Sequence, residues 1–263
     1  MFKAYYSLTK PGVLYGNVIT GVAGFLLAAG HFKAFSFELF ATTIIGMTLV
    51  IASACVLNNV LDQDIDRIME RTKKRAIAAG EISGRNAVVF SVILGVLGVV
   101  ILALWVNWLV VGIGIFGFVV YVWLYGALSK RLSIHGTLVG SISGAMPILA
   151  GYCAVSGNID AAAVLVFLIL FFWQFPEFYS IAIYRRKEYQ AAHIPVMSVV
   201  KGVRSTTVQI YIYTVAFVVS TLLLTLFGYT GFVYFVVMGL AGLYVINLAA
   251  KGLTTKDSDA GVH

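Results

Sequence analysis

The chain has 263 residues, of which 60% are hydrophobic and only 11% charged, with a formal net charge of +7. A water-soluble domain needs a polar shell that this composition cannot supply, so soluble and disordered classes are excluded and a polytopic membrane protein remains. The two cysteines, Cys55 and Cys153, both fall in apolar stretches and offer neither a disulfide framework nor a metal-ligand cluster.

In chain order, Lys3 and Lys10 precede a first apolar stretch at 13–30 that runs at span length and reads as its own insertion signal, with no cleavable leader. Further stretches at 39–60, 87–106, 108–127, 134–153, 161–184, 207–228 and 231–250 follow, each near the ~20 residues that cross a hydrocarbon core. Cytoplasmic loops carry the excess of Lys and Arg. With the amino terminus placed inside, 17 of the 18 Lys and Arg fall on that side, Lys251 and Lys256 of the carboxy-terminal end included, and Lys33 alone falls on the other. A wrong span count would scramble this alternation, so the partition supports both the eight spans and a cytoplasmic amino terminus. The net charge is therefore a topology signal first, with anionic lipid or a diphosphate as secondary partners.

Glycines inside the spans, such as Gly112, Gly114 and Gly117 or Gly136, Gly140 and Gly144, read as close helix packing. Gly140, Ser141, Ser143, Gly144 and Pro147 also make a kinkable span that could border a cavity.

The second span gives out at Asn58, Asp62 and Asp66, followed by Arg67, Arg71, Lys73, Lys74 and Arg75. On a helix a four-residue step advances about 400°, so the three polar side chains drift only about 40° per step and share a stripe. Two carboxylates and a carboxamide suit Mg²⁺, which is usually held by one or two carboxylates plus substrate phosphates. The bland alternative is a solvated helix end whose carboxylates pair with Arg67, Arg71 or Lys73. Against it, polar groups at the end of an apolar span are costly and tend to be functional.

A second charged loop follows the sixth span and, with four spans between, faces the same compartment as the first. It is preceded by Phe171, Phe172, Trp173, Gln174, Phe175, Pro176, Glu177, Phe178 and Tyr179, and carries Tyr184, Arg185, Arg186, Lys187 and Glu188. If the helix runs on past Pro176, Glu177 and Glu188 come to within about 20° of each other, three turns apart. They read either as catalytic carboxylates or as ion-pair partners of Arg185 and Lys187. The aromatic residues pack a core or, alternatively, wall an isoprenoid substrate and steady its carbocation. His31, His135 and His193 stand alone at loop edges and are not assigned as ligands.

The run Asn58-Asn59-Val60-Leu61-Asp62-Gln63-Asp64-Ile65-Asp66-Arg67-Ile68-Met69-Glu70-Arg71-Thr72 resembles the first aspartate motif of the intramembrane UbiA-type prenyltransferases, in the form found in the protoheme IX farnesyltransferase (haem O synthase) family. Lys10-Pro11-Gly12, the stretch 136–151 with Ser143-Gly144-Ala145 and Pro147, and the segment from Trp173-Gln174 through His193-Ile194-Pro195 to Val200-Lys201-Gly202 agree with it, so the resemblance covers nearly the whole chain.

The resemblance implies a single all-α integral-membrane domain over 1–263, a transmembrane helical bundle around a central cavity, in the bacterial cytoplasmic (inner) membrane with both charged loops cytoplasmic. It implies Mg²⁺-dependent transfer of a farnesyl group from farnesyl diphosphate to a vinyl group of haem B, with water adding to give haem O. Asn58, Asp62 and Asp66 would hold the metal, and Arg67, Arg71, Lys74, Arg185 and Lys187 would meet the diphosphate. Glu177 and Glu188 would join the catalytic set, and Trp173, Gln174 and Tyr184 would wall the haem and prenyl groups. Membrane lipid and the terminal-oxidase assembly machinery are implied partners, and nucleic acid is not. The chain departs from the family pattern at Glu177, where histidine usually follows Trp-Gln-x-Pro, at Glu188, where aspartate is usual, and in giving eight spans where nine are usual. The competing readings are a quinone-precursor prenyltransferase, a transporter and a haem assembly protein.

Overall fold

The computed structural model describes residues 1–254, so Lys256 lies outside the described residues. All regular elements among them are helical: α1 (Phe2–Leu8), α2 (Pro11–Phe32), α3 (Phe37–Leu61), α4 (Gln63–Ile68), α5 (Gly84–Trp105) and α6 (Trp108–Val119), then a π-helical stretch, Val120–Ser129. There follow α7 (Lys130–Leu132), α8 (Gly136–Ser156), α9 (Ala161–Tyr184), α10 (Arg186–Ala191), α11 (Met197–Val200), α12 (Gly202–Leu226) and α13 (Phe232–Gly252). Among the described residues eight helices are long and apolar enough to cross a membrane: α2, α3, α5, the run Trp108–Leu132, α8, α9, α12 and α13. They coincide with the eight apolar stretches to within a few residues.

Polar residues in the short connections start these helices. Ser36, Ser83, Asn107 and Asp160 each accept a hydrogen bond from a backbone N–H three residues on, the N-cap geometry that satisfies a first-turn donor. Pro11 opens α2 where its missing N–H costs nothing.

The chain divides into two compact units, Met1–Leu128 with Met146–Ile159, and Ser129–Ala145 with Asp160–His263. In the first, α3 lies along α5: Ser53 and Ser91 bond each other's hydroxyls and carbonyls, both fully buried. α2 crosses the end of α8 at backbone contact, because a methyl on Gly24 would fall on the Ile148 carbonyl oxygen and one on Gly151 would fall on that of Gly21. In the second, α9 packs on α12 through Phe175 and Tyr213, whose rings stack at 3.8 Å and 10°, and α12 meets α13 where Val218 lies against Gly242.

The amino-terminal helix is tied down from two sides. Leu8 is buried with Val56, Ala76, Ile77, Ile82 and Ala87, and its carbonyl accepts from Nδ2 of buried Asn59 at 2.7 Å. Substituting Asn59 with leucine leaves that carbonyl without its donor, a loss of about 1–3 kcal/mol for a buried group. The expected result is faster cleavage of the amino-terminal segment in limited proteolysis, with the remaining fragment intact.

Candidate active site

Asn58 lies in the last turn of α3, Asp62 forms the hinge to α4 with φ −88° and ψ 1°, and Asp66 lies within α4. The single continuous helix expected from the sequence is thus interrupted, but its register survives. Asp62 N–H donates to the Asn58 carbonyl at 2.9 Å and Asp66 N–H to the Asp62 carbonyl at 2.8 Å, so the i to i−4 ladder passes through the hinge. The three residues are only 2%, 1% and 3% exposed. Buried carboxylates are tolerated where positive charge compensates them.

For Asp66 that charge is Arg75, whose Nη1 donates to both carboxylate oxygens at 2.9 and 2.8 Å. Asn58, a neutral amide, is met by Lys10, whose ammonium donates to Oδ1; the Tyr121 hydroxyl approaches the same oxygen more loosely at 3.4 Å. A lysine only donates, so this contact fixes the amide orientation, and Nδ2 of Asn58 is left buried without a hydrogen-bond partner. Gly126 opens the room beside that nitrogen, since a Cβ there would come to 3.0 Å from it. Tyr121, Tyr125 and Gly126 all belong to the π-helical stretch, where the Tyr121 and Tyr125 rings stack at 5.9 Å. Such stretches are rare and recur at functional sites.

The loop that carries Arg75 is folded, although its charge pattern reads as solvated. Thr72 donates to the Asp66 carbonyl at 3.2 Å, and Ala76, Ile77 and Ile82 sink into the cluster around Leu8. Arg67, Arg71 and Lys74 point outward and are exposed, while Lys73 pairs with Glu70 at 2.6 Å.

Among the described residues no three His, Cys, Asp or Glu side chains form a group that could hold a metal unaided. Two carboxylates and a carboxamide oxygen on one stripe are nevertheless the donor set Mg²⁺ takes when phosphate oxygens complete its shell. The orphaned Nδ2 of Asn58 is a donor suited to such an oxygen. The residues therefore fit a metal–diphosphate pair and would not cage a bare metal.

The remaining candidate residues belong to the second unit. α9 runs unbroken through Pro176 and ends at Tyr184, with Arg185 (φ −102°, ψ 22°) turning the chain into α10. Glu177 is exposed on α9, and Glu188 sits on the separate α10, so the shared face expected on one continuous helix does not form as such. Glu188 accepts from Arg185 at 2.8 Å, the ion pair anticipated as the alternative to direct chemistry, while Arg185 also lies 5.7 Å over the Tyr184 ring. Lys187, Trp173 and Tyr184 are exposed. Gln174 is buried, with Nε2 donating to the carbonyls of Ser141 at 3.0 Å and Leu170 at 2.9 Å. A methyl on Gly144 would fall on its Oε1, so Gln174 clasps two helices. The aromatic group divides likewise: Phe175 and Tyr179 are buried against Tyr213, while Trp173, Phe178 and Tyr184 are exposed.

Lys10 and Tyr121 are side chains that sequence reasoning did not place at the site; Arg75 stood among the five cations beside the stripe, but its pairing with Asp66 was not foreseen. Arg75 was visible only as one of a run of cations, and Lys10 only as part of Lys10-Pro11-Gly12.

A sequence profile of the UbiA prenyltransferase family matches residues 17–262. The chain is 46% identical to the protoheme IX farnesyltransferase of Yersinia enterocolitica over 98% of its own length and 87% of the relative's. It is 45% identical to that of Photorhabdus laumondii over the same shares. Among solved structures, one described as digeranylgeranylglyceryl phosphate synthase superposes with a TM-score of 0.82 at 19% identity, covering 98% of this chain and 90% of that one. A UbiA homologue from Archaeoglobus fulgidus bound to DMAPP and Mg²⁺ superposes with a TM-score of 0.78 at 15% identity, covering 94% and 86%.

Proposed function

The chain belongs to the UbiA prenyltransferase family, and from that footing we propose that it transfers the farnesyl group of farnesyl diphosphate to a vinyl group of haem B, with water adding, to give haem O. The observation that carries both substrates is its near full-length identity to protoheme IX farnesyltransferases. Support for the donor half comes from the chain's own geometry, the buried stripe of Asn58, Asp62 and Asp66 with cations beside it. The cation partition between loops supports a cytoplasmic position for the amino terminus and both charged loops.

In this reaction the allylic C–O bond breaks, the diphosphate leaves with the electron pair, the allylic carbon bonds to the vinyl group, and water adds to the resulting cation and gives up a proton. Asn58, Asp62 and Asp66 would hold Mg²⁺, which when bound would supply positive charge to the diphosphate. Arg67, Arg71 and Lys74 neutralise the departing oxygens, with Arg185 and Lys187 as further cations. The exposed rings of Trp173 and Tyr184 offer faces to the allylic cation, and Gln174 fixes the helix that carries Trp173. Glu177 takes the proton from the added water, and Arg185 holds Glu188 at the same end of α9.

The test is incubation of the purified protein in lipid with haem B, farnesyl diphosphate and Mg²⁺, with products resolved by mass. The expected product is haem B increased by a farnesyl group and a hydroxyl group. Diphosphate release without haem modification would mean a different acceptor, and no release at all would overturn the donor half. In the same assay Glu177→Ala is expected to slow product formation at least ~10-fold, toward the low end of what a proton-transfer group contributes. Its melting temperature should not change, because the side chain is exposed; an unchanged rate would remove Glu177 from the site.

A further inference from the structure

One end of the second unit carries cations that the proposed chemistry does not use. Helices α12 and α13 meet where Val218 lies against Gly242, and Arg204, in the first turn of α12, donates to the Leu253 carbonyl just past the end of α13. Residue 218 thus faces 242 while 204 faces 253, so the two helices run antiparallel, and Lys251 in the last turn of α13 stands at the same level as Arg204. We propose that this end of the pair is a binding site for an anionic diacyl phospholipid, with the headgroup phosphate on Arg204 and Lys251 and the acyl chains along the exposed apolar faces beneath them. The site is independent of haem and of the prenyl diphosphate.

Three observations carry it. First, each helix presents an exposed stripe that ends in a cation. On α12, Arg204, Val208 and Ile212 follow at four-residue steps and are all exposed, so they share one face. On α13, Tyr244, Asn247 and Lys251 do the same at steps of three and four, and among the described residues of that helix only Gly242 is buried. Second, Asn247 is a polar side chain on a face turned to lipid, and among the described residues its amide forms no hydrogen bond. Polar groups so placed are costly unless a partner meets them. Asn247 lies one turn, about 6 Å, deeper than Lys251, where a lipid whose phosphate sits on Lys251 presents its ester carbonyls to the amide. Tyr244 lies a turn deeper again, an amphipathic ring of the kind that settles at the membrane interface. Ring, amide and ammonium along the stripe thus follow the order of acyl chain, ester and phosphate in a phospholipid. Third, residues 197–252 contain Lys201, Arg204 and Lys251, all exposed, and no Asp or Glu. Cations gathered at a membrane surface attract anionic headgroups, and the guanidinium of Arg204 keeps further donors beyond the one spent on Leu253.

The full chain in mild detergent would be titrated with dioleoyl phosphatidylglycerol, with the phosphatidylcholine of the same acyl chains, and with glycerol 3-phosphate as a phosphate without chains, bound molecules being counted by native mass spectrometry. Wild type is expected to hold phosphatidylglycerol at least ~10-fold more tightly than phosphatidylcholine, whose choline cation cancels its phosphate. Lys251→Gln and Arg204→Gln are each expected to lower that preference ~5-fold, and Arg204→Lys to retain it. Asn247→Leu is expected to weaken both lipids alike, because both carry ester carbonyls. Lys3→Gln, which removes an exposed cation of the first unit, is expected to change neither. Arg204→Gln also removes the bond to Leu253; if that variant does not fold, Lys251→Gln and Asn247→Leu, both at exposed positions, decide the matter. Equal binding of the two lipids by wild type would overturn the proposal, as would a preference unaltered in Lys251→Gln. Displacement of bound phosphatidylglycerol by glycerol 3-phosphate would mean a site for free phosphate and would overturn it too. A protein that holds the lipid but modifies no haem loses the proposed reaction and keeps this site.

Discussion

Asp62→Ala is expected to lower diphosphate release from farnesyl diphosphate by about 10²–10³-fold, the range seen when a group aimed at developing charge is removed, while leaving the protein folded. Asp62 sits at the hinge between α3 and α4 and is 1% exposed. Burying a carboxylate costs desolvation that offsets much of what its contacts contribute, so replacing it with alanine is expected to shift the melting temperature by only a few degrees. The paired result, activity lost and stability kept, distinguishes a functional carboxylate from a structural one. Single-turnover release of diphosphate, measured beside a thermal melt, gives both numbers. A rate within tenfold of wild type would remove Asp62 from the chemistry, and a large drop in melting temperature would make it a structural group.

The second large effect belongs to packing. Gly151→Val is expected to abolish recovery of folded protein, because the added carbons meet backbone: the first would fall on the Gly21 carbonyl oxygen and lies 3.1 Å from the Phe25 amide nitrogen. Backbone cannot rotate aside as a side chain can, and overpacking of this kind costs about 1–3 kcal/mol even where neighbours yield. Here two helices would have to separate along a contact that also includes Gly24 against Ile148 and the fully buried Phe25. The comparison substitution is Gly112→Ala, where a Cβ meets nothing within 4 Å; it is expected to behave as wild type. Monodispersity in size-exclusion chromatography after mild detergent extraction reads both.

That contrast also shows where sequence reading runs out. The eight spans were legible because span length and apolar runs are set by the hydrocarbon itself, and each appears within a few residues of its expected place. The regular spacing of Gly112, Gly114 and Gly117 looked like a packing seam, yet only Gly117 makes a close contact there, with Met146 at 3.0 Å. The tightest crossing uses Gly21, Gly24 and Gly151, whose partners lie on distant helices and leave no periodic trace. The stripe of Asn58, Asp62 and Asp66 was legible because four-residue spacing is a local property, and it survives the unforeseen hinge because the backbone ladder does. Glu177 and Glu188 were read on one helix, but their geometry depended on helix continuing beyond Tyr184, and the turn at Arg185 ends it. Lys10 and Arg75 were hidden for a different reason. One is a cation before a span and the other a cation among five, and only tertiary folding selects them. Nor did anything in Val120–Ser129 announce a π-helical stretch; nothing local in that apolar run distinguishes it from an ordinary helix.

The anchoring of Leu8 and Lys10 sets an order of assembly during synthesis. Both leave the ribosome about 50 residues ahead of their partners Asn59 and Asn58, and Ala76, Ile77, Ile82 and Ala87, which close over Leu8, come later still. The amino-terminal helix must therefore wait at the membrane surface, with Met1 and Phe2 exposed, until the hairpin of α2 and α3 has inserted and α5 has followed. A nascent chain arrested before α5 would hold every residue of the aspartate stripe yet lack the packing that positions Arg75. Ribosome-bound chains of increasing length would report the moment of completion as the length at which the amino terminus becomes resistant to protease.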